Sequence, residues 1–244
     1  MKLAVEKLEA GYQGKTVVKD VSFTVEKGEF ISLIGPSGCG KSTVLKVLAG
    51  LLEPMAGTIM VDDAPLQGGS RHFSYMPQSD LLLDWYDILD NVCLYGKIHG
   101  KKKEAQQQAL ENLKEFGLAG YEHAYPSQLS GGMRQRAAFL RTALCDSDIL
   151  LLDEPFGALD VITREDMQDW LNRMRQRLDR TTLLVTHDID EAIYLSDRIL
   201  ILGQRPATIT RIVDVRHPHK DRAWLYAQGE LRAAIHQELS HEML

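Results

Sequence analysis

Gly35-Pro36-Ser37-Gly38-Cys39-Gly40-Lys41-Ser42-Thr43 follows an apolar run, Phe30 to Ile34, and precedes a stretch of helical character, Val44 to Leu52, that Glu53-Pro54 stops. Strand, glycine-rich turn and helix, in that order, is the context in which G-x-x-x-x-G-K-[ST] makes a phosphate cradle. The glycines let the backbone curl so that successive N–H groups point inward, at the positive end of the following helix. In such a cradle Lys41 reaches the β- and γ-phosphates of a nucleotide, Ser42 offers a hydroxyl to Mg²⁺, and Thr43 caps near the α-phosphate. Gly35, Pro36, Ser37, Gly38, Cys39 and Gly40 form its wall, and the small Cys39 side chain is expected to face away from the phosphates.

Working outward, short runs at Lys2 to Leu8, Val21 to Val25 and Glu29 to Ile34, separated by Gly11, Gly14 and Gly28, read as strands. A further pair is expected at Thr58 to Val61 and Phe73 to Met76. From Trp85 to Leu144 the signal is helical: Asp87 to Ile98, Lys103 to Phe116 and Gly132 to Leu144 carry helix-like apolar spacing, broken by Gly100, Gly117 and Pro126. Alternation then resumes, with strands at Ile149 to Leu152, Thr182 to Val185 and Arg198 to Leu202 and helices at Val161 to Leu178 and Ile189 to Leu195. That alternation predicts a parallel sheet covered by helices. Beyond Gly203 the rhythm weakens, and Lys220 to Leu244 reads as a polar helical tail.

Ile149-Leu150-Leu151-Leu152-Asp153-Glu154 delivers two carboxylates at a strand end, where open α/β sheets bind ligands. Beside a phosphate cradle, Asp153 is expected to hold Mg²⁺ through its water shell. Glu154, one residue on, is placed to polarise a water that attacks the γ-phosphate. His187 follows another β-rich run, Thr182 to Thr186, and should project from a neighbouring strand end toward the same phosphate.

Composition narrows the class further. With 44% hydrophobic and 25% charged residues, the 244-residue chain has the make-up of an ordinary globular protein. Its formal net charge of −6 speaks against nucleic acid as a partner, because that job needs a basic surface to displace phosphate counterions. Cys39, Cys93 and Cys145 form no CxxC pair, which fits a reducing compartment. The first residues mix charges before any apolar core forms, unlike a secretory signal, and no stretch approaches the ~18 apolar residues of a spanning helix.

One segment is left over: Leu129-Ser130-Gly131-Gly132-Met133-Arg134-Gln135-Arg136. It resembles the signature of ABC-type ATPases, and the other motifs follow that family's order. Tyr12 resembles the aromatic that stacks on adenine, Gln78 the Q-loop glutamine that also serves the metal, Ala158-Leu159-Asp160 the D-loop, and His187 the switch histidine. The resemblance runs from about Lys2 to Ile201 and implies an α/β fold: a P-loop NTPase core with an N-terminal antiparallel β part and a helical signature insert. It divides the chain into an ATP-binding core of residues 1–84 and 146–215, a helical signature subdomain of 85–145 and a C-terminal helical tail of 216–244. Ser130, Gly131 and Gly132 open a helix whose N-terminal N–H groups form a second anion site. The family arrangement gives that site to a second copy, so that each ATP lies between the P-loop of one chain and the signature of the other. Met133 stands where the commonest family pattern has Gln, while Glu154 and His187 are kept, as hydrolysis requires.

Ser79 to Val92, Asp160 to Arg164 and Leu202 to Ala207 look like the importer subgroup for nitrate, sulfonate, taurine and pyrimidine precursors, with Asp84 where that subgroup usually has Pro. The resemblance implies an ATP-hydrolysing subunit, ATP and Mg²⁺ bound, a homodimer, an integral membrane permease as partner and, indirectly, a solute-binding protein. It places the chain on the cytoplasmic face of the membrane. Leu81, Leu82, Leu83 and Trp85 are expected to form an exposed apolar groove for the permease. A free-standing exporter cassette or a non-transport cytosolic ABC ATPase is the alternative, and neither the long coiled-coil insertion of a chromosome ATPase nor the second cassette of a translation factor is present.

Overall fold

The computed structural model describes residues 1–66, 71–157, 159–178 and 180–241. The chain opens with β1 (Leu3–Tyr12) and β2 (Lys15–Val25), joined at Gln13 and Gly14, whose φ values of 50° and 77° make the tight hairpin turn. β3 (Phe30–Ile34) leads into α1 (Lys41–Leu48), after which come β4 (Ala56–Val61), β5 (Ala64–Pro65) and β6 (Phe73–Met76). The helical stretch holds α2 (Ile88–Val92), α3 (Leu94–Ile98), α4 (Lys102–Leu113) and α5 (Gly131–Ala143). β7 (Ile149–Asp153), α6 (Val161–Leu178), β8 (Thr181–Val185), α7 (Ile189–Leu195), β9 (Arg198–Leu202) and β10 (Ile209–Asp214) follow, and α8 (Arg222–Tyr226) and α9 (Gly229–His241) close the chain.

Two sheets form. β2-β1-β4-β5 is antiparallel, and the second sheet runs β10-β9-β3-β8-β7-β6, parallel except for β10 on its edge. Its central strands β3, β7 and β8 are buried along their whole length because both faces are covered. Phe30 and Ile34 of β3, Leu150 and Leu152 of β7, and Ile199 and Ile201 of β9 pack with the helices α2 and α4 to α7. The alternate residues Ile31, Leu33, Ile149, Leu151, Leu200 and Leu202 pack against α1 and the antiparallel sheet. A period of two therefore sorts each strand's residues between two cores.

Three differences from the sequence reading have local causes. α1 starts at Lys41 rather than Val44, and it stops at Gly50, with φ 70°, before Glu53-Pro54 is reached. The predicted helix Asp87 to Ile98 is two helices meeting at Cys93, the first capped by the Asp87 carboxylate on Asp90 N–H at 2.7 Å. β10 was not expected at all; its burial alternates weakly because it lies on the sheet edge.

Candidate functional site

Register decides what meets what. Leu33 of β3 and Asp153 of β7 both pair with Val185 of β8, so the loop after β3, the acids after β7 and the turn after β8 leave the same sheet edge side by side. In the loop after β3, Gly38 has φ 75° and Gly40 φ 128°. A Cβ on Gly40 would also sit 2.5 Å from Val18 Cγ1, so backbone angle and space both demand glycine there. Lys41, buried, donates from Nζ to the carbonyls of Gly35 and Pro36 at 2.9 and 3.0 Å. Cys39 is turned into the core, as expected, and Thr43 is buried.

The Ser42 hydroxyl donates to Asp153 Oδ1 at 2.8 Å, and Tyr75 of β6 donates its phenol to Oδ2 at 2.9 Å. Burial, the Asp153 carboxylate and the nearby Tyr12 phenol all push the Tyr75 pKa far above its ordinary value, so it remains a donor. Tyr75 was not singled out in the sequence. Its only signal was a hydroxyl-bearing aromatic in a short apolar strand ahead of Gln78.

Glu154 has φ 46° and donates its backbone N–H to Val185 O at 2.9 Å. That left-handed bend costs energy for a non-glycine residue and swings the side chain off the strand line. Its Oε2 accepts from Gln78 Nε2 at 3.1 Å and lies 3.4 Å from His187 Nδ1. Gln78, Glu154 and His187 thus form one cluster beside the Ser42–Asp153–Tyr75 set. The turn bearing His187 is braced beneath: Thr186 Oγ1 accepts from Asp188 N–H at 3.0 Å and donates to Glu191 Oε2 at 2.5 Å. Gln168 of α6 holds the other Glu191 oxygen at 3.0 Å, and burial pushes the Glu191 pKa up to about 7.

Ser37, Gly38, Gly40, Lys41, Ser42, Thr43, Glu154 and Arg205 line a cleft of 210 Å³. Tyr12, 44% exposed, ends β1 and is not part of that lining. Nor are Ser130, Gly131 and Gly132. Ser130 caps α5, its hydroxyl accepting from Met133 N–H at 3.3 Å, and Gly132 lies against α6, where a Cβ would come 2.5 Å from Thr163 Cγ2. α5 is nevertheless tied to the acidic strand end and to the segment after Gln78, by Gln135 Nε2 donating to Pro155 O and by Arg134 to Asp80 Oδ2 at 3.2 Å. Of the D-loop residues, Leu159 is buried, Asp160 accepts from Thr163 N–H at 3.1 Å, and Ala158 lies outside the described residues.

The expected apolar groove is only partly on the surface. Leu81 and Trp85 are exposed, Trp85 by 72%, but Leu82 is 8% exposed and packs with Ile88, Val92 and Phe139 in the core. Leu82 is therefore a core residue, pulled in by the turn that brings Leu83 N–H to Asn91 Oδ1 at 2.7 Å. Leu82→Ser is expected to lose about 2–4 kcal/mol by leaving a cavity with a hydroxyl in it, whereas Trp85→Ser should stay within about 0.5 kcal/mol of wild type. Urea denaturation of the two variants checks this, and equal stabilities would contradict the assignment of Leu82 to the core.

The family model described as ABC transporter matches residues 18–157. The taurine import ATP-binding protein TauB of Yersinia pestis bv. Antiqua is 41% identical over 234 residues, 96% of this chain and 90% of that protein. The aliphatic sulfonates import ATP-binding protein SsuB 1 of Rhodococcus jostii is 50% identical over 208 residues, 85% of this chain and 80% of that one. Among solved structures, a dimeric post-hydrolysis state of an ATP-binding cassette bound to ADP and Pi superposes with a TM-score of 0.74 at 28% identity, covering 88% of this chain and 99% of that one.

Proposed function

Because the chain belongs to the ABC transporter family, we propose that it is the ATP-binding and ATP-hydrolysing subunit that energises an importer of a small solute, acting as one of a head-to-tail pair. The observation that carries the reading is the convergence of Lys41, Ser42, Asp153, Glu154 and His187 at one sheet edge. On this reading Gly35 to Thr43 enclose the phosphates, and Lys41 exchanges its loop carbonyls for β- and γ-phosphate oxygens. Ser42, Asp153 and Gln78 present hydroxyl, carboxylate and amide oxygens, an all-oxygen donor set that fits Mg²⁺. Bound there, the ion would neutralise developing phosphate charge.

Glu154 accepts a proton from, and orients, the attacking water, Gln78 fixes the carboxylate, and His187 contacts the γ-phosphate. Ser130, Gly131 and Gly132 are exposed or facing α6 and stand apart from their own chain's cleft, which supports their serving a partner copy's ATP. The units follow: residues 1–84 and 146–215 as ATP-binding core, 85–145 as signature subdomain, 216–244 as tail. Exposed Leu81 and Trp85 supply the apolar contact for a permease, holding the subunit at the cytoplasmic face of the membrane, with a solute-binding protein feeding the assembly. No helix among the described residues is long and apolar enough to cross a membrane.

Of the solute kinds expected from the sequence, sulfonate, nitrate and pyrimidine precursor, the relatives named for taurine and aliphatic sulfonates support the sulfonate kind. ATPase activity of the purified chain, co-purification of a tagged chain with an integral membrane permease, and growth of a deletion strain on these sources test the proposal. A chain that releases no phosphate from ATP, alone or with its permease, would sink it. Tyr12→Ala is expected to raise KM for ATP by about tenfold, the scale of one base–aromatic stack, with kcat nearly unchanged. Steady-state kinetics separates the two, and a collapse in kcat would make Tyr12 structural.

A further inference from the structure

The turn between β9 and β10 brings a cation to the cleft that no part of the phosphate-loop motif supplies. We infer that Arg205 is a nucleotide-binding residue, its guanidinium contacting the phosphate chain of ATP held by the loop after β3. This rests on the ATP reading above. Arg205 lines the cleft together with Ser37, Gly38, Lys41 and Glu154. One guanidinium nitrogen lies 3.9 Å from where a Cβ on Gly38 would stand. It also borders an adjoining 500 Å³ cleft with Pro36 to Cys39.

The turn that carries it is fixed to the same body as the loop. Gly203 N–H donates to Thr208 O at 3.0 Å, Ala207 N–H to Val17 O at 2.9 Å, and Lys19 N–H to Ala207 O at 2.9 Å. Ala207 is fully buried, and the Val17 and Val18 it borders are the residues that press on Gly40. At the base of the turn, Leu202 O comes within 2.7 Å of a Cβ position on Gly35. Arg205 is therefore held at the loop by backbone bonds and not by a flexible tether.

Among the described residues the Arg205 side chain makes no hydrogen bond and no ion pair, although Glu154 borders the same cleft. A guanidinium, the Lys41 ammonium and the positive end of α1 converge there, and three positive groups gathered on one cleft are stabilised by an anion between them. The Lys41 and Arg205 charges also both act against the burial that raises the Cys39 thiol, so both fields reach the loop. Arginine suits the task because its planar fork offers two parallel N–H groups to phosphate oxygens.

Equilibrium binding of Mg-ATP to the purified full chain tests the assignment, with wild type, Arg205→Ala and Arg205→Lys compared at low and high salt. Arg205→Ala is expected to raise the Kd about tenfold, the scale of one charge-assisted contact, and Arg205→Lys to recover part of that loss. The difference should shrink as salt screens the contact, and thermal midpoints should match. Wild-type affinity in Arg205→Ala, or a weakened affinity with a lowered thermal midpoint that lysine does not rescue, overturns the inference. A wild-type chain that binds no ATP would instead overturn the proposed function itself. Intact binding by the single chain with impaired ATP-driven pairing would assign Arg205 to the partner copy, again against the inference.

Discussion

Glu154→Gln is expected to bind ATP and Mg²⁺ as wild type does and to lose hydrolysis by on the order of 10²-fold or more, the scale of removing a positioned base. The amide keeps the shape of the carboxylate and can still meet Gln78, whose Nε2 lies 3.1 Å from Glu154 Oε2. It cannot take a proton from water. Lys41, Ser42 and Asp153, to which the proposal gives the phosphate and metal contacts, are untouched. If ATP closes the pair and hydrolysis reopens it, the variant should accumulate as an ATP-bound dimer on size-exclusion chromatography. Wild-type phosphate release in a single-turnover assay would show that Glu154 is not the catalytic carboxylate.

Lys41→Ala is expected to weaken ATP binding by about 10²-fold or more, since on the proposed reading it removes the one motif cation that meets the β- and γ-phosphates. The buried ammonium is bonded to the Gly35 and Pro36 carbonyls, so the loop turns its own acceptors and its lysine toward one another. Alanine leaves those carbonyls facing the cleft with no cation between them and any incoming phosphate. Repulsion then adds to the lost contact. Isothermal titration with Mg-ATP measures the loss, and an unchanged Kd would remove the cradle assignment for residues 35–43.

Most of the candidate site was legible because its residues fall in short stretches that are local in sequence. Gly35 to Thr43, Asp153-Glu154 and His187 each sit at the end of an apolar run, and a parallel sheet brings such ends to one edge. What was not legible depends on packing between distant segments. Tyr75 reaches Asp153 only because β6 pairs with β7, Tyr75 opposite Leu151. Arg205 reaches the loop only because Ala207 is pinned to β2. Leu82 stands in a run of three leucines, with Leu81 exposed and Leu83 half-buried beside it, and no periodicity over so short a loop tells which of them turns inward. β10, with the sequence Ile-Thr-Arg-Ile-Val-Asp, is polar because an edge strand is half solvated, which erases the apolar signal that marked the central strands. The break between α2 and α3 at Cys93 leaves the apolar spacing continuous on both sides and so passed as one helix.

The central claim is that one ATP lies between the cradle of one copy and the Ser130 helix of the other, and mixing two defective variants tests it most directly. In the Glu154→Gln background, Lys41→Ala should fail to pair because it cannot hold ATP, and Ser130→Arg should fail because the arginine fills the place of the partner's γ-phosphate. Mixed together with ATP, they retain one complete composite site, the cradle of the Ser130→Arg chain facing the helix of the Lys41→Ala chain. The account predicts that a heterodimer appears on size-exclusion chromatography carrying one ATP per pair, while each variant alone stays monomeric. A mixture that remains monomeric at saturating ATP, when the Glu154→Gln parent forms dimers under the same conditions, would contradict the shared site.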